Sequence, residues 1–186
     1  KKIKLINETE PDNPVKPYER AKPVETKESI SEPINDTRSD GRKLMDNLVD
    51  RLKSGDKIKT EGDLLKIAAD VMGKKAGADF QSQDAFNALE TAVNKVISEQ
   101  AKDLMAMEPS QALAELEKIA DQLPIQRSRN LDKINKQQFS TPPGLSYLVN
   151  KFADIGRGDV VLEPSAGTGS LIALAKGIGA EVDRKS

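Results

Sequence analysis

Val160-Val161-Leu162-Glu163-Pro164-Ser165-Ala166-Gly167-Thr168-Gly169-Ser170-Leu171-Ile172 is the stretch on which the reading of this chain turns. An apolar, β-branched run ends in an acidic residue, crosses a glycine-rich turn and enters a second apolar segment. A strand, a turn of this kind and a helix open a parallel βαβ unit, whose ligand-binding groups collect at the carboxyl edge of the sheet. Gly167 and Gly169 leave the backbone bare, so a ligand can approach where a Cβ would block it. The helix after the turn brings backbone N–H groups with no partner of their own. Glu163, at the end of the strand, suits an ammonium group or its bound water. It suits a pyrophosphate poorly, because like charges repel.

Two other glycine loops fit less well. A phosphate-binding Walker loop needs Gly, four residues and then Gly-Lys-Ser/Thr. Gly169 is followed by Ser170 and Leu171, with no lysine, so this turn is not expected to support nucleotide hydrolysis. A dinucleotide turn needs Gly-x-Gly-x-x-Gly. After Gly167-Thr168-Gly169 the third glycine is missing, because Ser170, Leu171 and Ile172 follow.

Working outward from the turn, Gly179-Ala180-Glu181-Val182 reads as the start of a second parallel strand. Upstream, Leu145, Leu148, Val149, Phe152 and Ile155 mark a helix closed by Gly156. The strand is expected over Asp159–Glu163 with Val160, Val161 and Leu162 as its buried run, and the next helix over Ser170–Lys176. Tyr147 is expected in the core. Before Pro143 the character changes. Arg127, Arg129, Lys133 and Lys136 cluster with few apolar neighbours, which reads either as a solvated connector over 124–136 or as a weak phosphate-contacting stretch.

Residues 43–123 read as a small helical domain. Leu44, Leu48, Val49 and Leu52 fall at helical spacing before Gly55. Thr60-Glu61-Gly62-Asp63 approximates a capping box ahead of Leu64, Leu65, Ile67, Ala68, Val71 and Met72, with Gly73 closing that helix. Ser82-Gln83-Asp84 starts a longer one carrying Phe86, Leu89, Ala92, Val93, Val96 and Ile97, with its end near Met107. Pro109 starts another with Leu113, Leu116, Ile119, Ala120 and Leu123, stopped by Pro124. These stripes pack on each other or on a protein partner; they do not sustain a heptad. Over 1–42 a disordered tail or linker is expected. Five of the ten prolines lie before residue 34 among charged and hydroxylated residues, a composition that buries too little apolar surface to offset the entropy of ordering.

Composition narrows the chemistry. With a net charge of −1 over 186 residues there is no global attraction to nucleic acid or membrane. No cysteine and no histidine are present, which removes thiolate and imidazole metal sites, so no metal is expected. No run reaches the roughly 18 apolar residues of a membrane span.

The Gln137-Gln138-Phe139-Ser140-Thr141-Pro142-Pro143 segment, some twenty residues before the Glu-Pro-Ser-Ala-Gly-Thr-Gly turn, makes the pair resemble motifs X and I of the N6-adenine DNA methyltransferases. The resemblance covers 137–182 and implies the first βαβ part of a Rossmann-like, S-adenosylmethionine-dependent methyltransferase fold, here over 137–186, after an α-helical region: an α plus α/β chain. It implies S-adenosylmethionine as cofactor, with Phe139, Thr141, Pro142, Glu163, Pro164, Ser165, Ala166, Gly167 and Gly169 around it. For Phe139, simple core packing is the competing reading. The order of motifs matches the gamma arrangement. A fainter likeness back to residue 113 is to the N-terminal part of large phage and plasmid methyltransferase–helicase fusions, antirestriction proteins among them.

On that resemblance the expected function is that of an N-terminal fragment of a DNA adenine-N6 methyltransferase, acting on DNA in a bacterial cytoplasm, with carriage in a phage particle as an alternative setting. The family's catalytic Asn/Asp/Ser-Pro-Pro-Tyr/Phe motif does not occur in these residues, so no catalytic residue is assigned and the fragment alone is expected to be inactive. Pro142-Pro143 is no substitute, because it precedes the glycine turn. The alternatives are a non-enzymatic binding or inhibitory module with a vestigial methyltransferase edge, and a Rossmann-like domain for another adenosine ligand.

Overall fold

The computed structural model describes residues 39–124, 141–164 and 167–184. The expectations for the tail over 1–38, for Arg127, Arg129, Lys133, Lys136 and Phe139, and for Ser165 and Ala166 fall outside these residues. Helices dominate: α1 (Asp40–Ser54), α2 (Glu61–Met72), α3 (Ser82–Glu99), α4 (Ala101–Ala106) and α5 (Pro109–Ala120), then α6 (Pro143–Phe152), β1 (Val160–Glu163), α7 (Ala173–Ile178) and β2 (Glu181–Arg184). Among the described residues no helix is long and apolar enough to cross a membrane.

The helix ends follow the local signals. Gly55 and Gly73 close α1 and α2 in the left-handed conformation, at φ 82° and φ 64°, where a side chain would be strained. Thr60 and Asp63 form a full capping box: the Asp63 N–H donates to Thr60 Oγ1 at 3.1 Å, and the Thr60 N–H to Asp63 Oδ2 at 3.0 Å. Such a box satisfies two otherwise orphaned backbone donors. The long third helix breaks at Gln100 (φ −92°, ψ 1°) into α3 and α4. The apolar stripe continues through the break, with Ala101 and Leu104 buried, so periodicity alone could not place it.

One core holds both the bundle and the glycine-turn segment. Leu44, Leu48, Leu64, Phe86, Leu89, Val96 and Leu116 cluster with Tyr147, Ala173 and Leu174. The sequence reading set 43–123 and 137–186 apart; their described parts pack as one unit. α7 lies on α3 and α4, and α6 on α5. The closest approach is at Gly177. A Cβ there would overlap the carbonyl oxygen of Ser98 and the Cβ of Ala101 and would lie 2.8 Å from the Ser98 carbonyl carbon.

β1 and β2 are parallel, with Val160 opposite Glu181 and Glu163 opposite Arg184, and α7 makes the connection between them. The ladder is continued by the Glu181 N–H donating to the Asp159 carbonyl at 2.8 Å. Val160 and Leu162 were expected to be buried, yet they are 72% and 67% exposed, because no described residue lies over that face of the two-stranded sheet. The stripe that marks α6 is covered only in part: Leu148 packs against the core, Leu145, Val149 and Phe152 are exposed, and the helix buries Ser146, Tyr147 and Asn150. The reason is that α6 turns its hydrogen-bonding residues toward the glycine turn. It also ends at Phe152, with Asp154 at φ 51°, rather than running on to Gly156.

Tyr147 is fully buried, as expected, and its hydroxyl has no hydrogen-bond partner. A buried hydroxyl without a partner is a desolvation cost. Tyr147→Phe is therefore expected to leave stability unchanged or raise it by about 1 kcal/mol in chemical denaturation. Burial, with the Glu108 carboxylate adding to it, pushes the Tyr147 phenol above its usual value. A group protonated more firmly in the folded state contributes stability that is intact below its unfolded pKa, near 10, and is lost as pH rises beyond it. The phenylalanine variant should lack that alkaline loss; an identical alkaline decline in both proteins would contradict the assignment.

Candidate functional site: the glycine turn and its clamp

β1 delivers Glu163 to the carboxyl end of the sheet, and the chain then turns through Gly167 at φ 50° and Gly169 at φ 94°. Both angles lie in the region that glycine enters without strain. A Cβ on Gly167 would meet nothing within 4 Å, so this backbone faces open space. Gly169 is buried, with Ile172 against it. The helix expected from Ser170 begins three residues later, at Ala173. The intervening residues form turns in which the Ile172 N–H donates to the Gly169 carbonyl at 3.2 Å.

Three side chains from two helices hold this turn by its carbonyls. Asn94 of α3 donates from Nδ2 to the Thr168 carbonyl at 3.0 Å. Ser146 of α6 donates from Oγ to the Ser170 carbonyl at 2.6 Å. Asn150 of α6 donates from Nδ2 to the Leu171 carbonyl at 2.9 Å and to the Ser146 carbonyl at 2.8 Å. Ser146 and Asn150 are buried, at 2% and 1% exposure, and a hydrogen bond counts for more away from water. Lys151 ties α6 to the bundle by donating to the Met105 carbonyl at 2.7 Å.

A groove of about 190 Å³ runs beside the turn. Phe86, Leu89 and Val93 of α3 and Leu123 form its apolar wall, Thr141, Pro142 and Pro143 line it from the start of α6, and Glu90, Asn94 and Ser170 are its other polar lining residues. Of the residues expected at the site, then, Thr141 and Pro142 line the same groove as Ser170. Glu163, Pro164, Gly167 and Gly169 belong to the adjoining edge and do not line the groove.

Sequence reading missed Asn94, Ser146, Asn150 and Gly177. Asn94 shares its helical row with Glu90 and Ser98, and Asn150 shares its row with Ser146 and Asp154, so both read as polar rows facing solvent. Gly177 sits inside a helical pattern, where a glycine usually has a packing reason, and was the one available signal.

No protein-family model, curated protein or solved structure matches this chain.

Proposed function

We propose that this chain is the cofactor-binding opening of an S-adenosylmethionine-dependent DNA adenine-N6 methyltransferase, with a Rossmann-like βαβ unit built from β1, α7 and β2. The observation that carries the reading is the juxtaposition of the Thr141-Pro142-Pro143 segment with a glycine turn on the first of two parallel strands. The residues fit the group. Gly167 leaves open backbone for it, and the nearby groove is apolar with polar edges.

When bound, S-adenosylmethionine supplies a methyl group activated by its sulfonium. The chain's own residues bind and orient: Gly167 admits the ligand to the backbone, Gly169 lets the turn close on Ile172, Glu163 stands at the sheet edge for a positively charged or hydroxyl group, and Thr141 and Pro142 flank the ligand from just before α6. Phe139, Ser165 and Ala166 are proposed contacts from the sequence pattern alone. Base-holding residues of the Asn/Asp-Pro-Pro-Tyr/Phe kind do not occur in this sequence, so in this reading the whole enzyme supplies them and engages DNA, within a bacterial antirestriction or restriction–modification setting.

The exposed stripe of Leu145, Val149 and Phe152 favours a second reading, a protein-binding module that keeps such an edge, since contiguous exposed apolar surface marks interaction sites. Equilibrium dialysis of the native polypeptide with S-adenosylhomocysteine in competition with NAD separates the possibilities. Displacement by S-adenosylhomocysteine and not by NAD is expected. Tighter NAD binding contradicts the methyltransferase reading, and binding of neither favours the module.

A further inference from the structure

The groove beside the glycine turn is built largely by α3, an element of the helical bundle with no part in the βαβ unit. At about 190 Å³ it is larger than a site that holds benzene, about 150 Å³. It is smaller than the roughly 300–1,000 Å³ pockets that enclose a whole drug-sized ligand. It therefore accepts one end of an elongated ligand. Its walls are apolar, from Phe86, Leu89, Val93 and Pro142, and among the described residues Glu90 is the one ionisable group lining it. Glu90 is half-buried, and no described cation pairs with it. An apolar channel with a single carboxylate complements an aliphatic stem that carries positive charge. A nucleobase or a phosphate offers no such charge. The adenosyl part of the ligand then remains outside the groove, along the open backbone at Gly167.

Resting on the reading of the site as one for S-adenosylmethionine, we infer that the helical bundle contributes a specificity residue to it: Glu90 is the counter-charge for the ammonium or sulfonium of the methionyl end, while that end's own carboxylate is left to the hydroxyl-bearing lining residues Thr141 and Ser170. Asn94, one turn further along α3 and bonded to the Thr168 carbonyl, fixes the spacing between that carboxylate and the glycine turn. The bundle is thereby part of the ligand site, and an adenosyl compound lacking the charged end gains nothing from Glu90.

The test is a calorimetric titration of the native polypeptide and its Glu90→Gln variant with two probes. S-adenosylmethionine carries the charged amino-acid end; 5′-methylthioadenosine lacks it. Glu90→Gln keeps the shape of a half-buried helix-surface residue, and a matching thermal melt without ligand checks the fold. Loss of about tenfold in affinity for S-adenosylmethionine, as for a hydrogen bond to a charged group, with no change for 5′-methylthioadenosine, is the expected result. Equal affinities of wild type and variant for both probes overturn the role of Glu90 and leave the adenosyl site standing. Parallel losses for both probes also overturn it, since they signal a structural effect. A wild-type protein that binds neither probe overturns the adenosyl site itself and this inference with it.

Discussion

Replacing Gly177 with valine is expected to lower the free energy of unfolding by about 3 kcal/mol, at the upper end of the usual cost of overpacking. For a chain of this size that corresponds to a fall in Tm of roughly 10 °C. The groups a new Cβ would meet at Gly177 are the backbone of Ser98 and the Cβ of Ala101, not the end of a flexible side chain. They cannot rotate away, so α7 has to move off α3 and α4. The glycine turn leads directly into α7, so its position should loosen as well. Gly62→Ala is the matched control. A Cβ there meets only Thr60 Oγ1 at 3.6 Å, an ordinary contact, and a helical glycine-to-alanine change at a compatible site stabilises by about 0.5–1 kcal/mol. Denaturant melts of both variants check the pair. A Gly177→Val protein within 0.5 kcal/mol of wild type would mean that α7 does not pack on the bundle as described.

Removing the amide of Asn150 should also be costly, by about 2 kcal/mol for Asn150→Ala. Its two donations hold the Leu171 and Ser146 carbonyls at a site only 1% exposed, where a carbonyl stripped of its donor cannot turn to bulk water. Asn150 Oδ1 itself has no partner, so the residue is retained for what it donates. Asn150→Asp separates donation from size. At neutral pH a buried carboxylate would face two carbonyl oxygens and should destabilise more than alanine does. Burial and those oxygens raise the pKa of the new carboxyl, so protonation at lower pH restores a single donor and part of the stability. Amide exchange across 168–171 should quicken in both variants at pH 7. If exchange there is unchanged while global stability falls, Asn150 supports the core and not the turn.

What could be read in the sequence, and what could not, follows from the range of the interactions. Helix starts and stops are local, and Gly55, Gly73 and the Thr60–Asp63 box marked them correctly. The parallel pairing of β1 and β2 was also legible, since an apolar run, a glycine turn and a second short run leave few other arrangements. The orientation of α6 was not. Its apolar stripe marked a helix but not which face is buried: Ser146 and Asn150 find carbonyls 24 and 21 residues away along the chain. Buried polar residues are placed by such partners, and no periodicity count contains them. The joining of bundle and glycine turn was hidden for the same reason: it rests on a missing side chain at Gly177 and one amide at Asn94. Thr141 and Pro142 are named by the motif, whereas Glu90 could not be, because its place in the same groove depends on how α3 lies against them.

Photochemical cross-linking of the native polypeptide with methyl-tritiated S-adenosylmethionine, followed by peptide mapping, is the most direct examination of the proposed site. Label displaced by excess S-adenosylhomocysteine and not by NAD, and recovered in peptides within residues 139–172, is the predicted outcome. Label that no adenosyl compound displaces, or that maps away from both Thr141–Pro143 and the glycine turn, would contradict it.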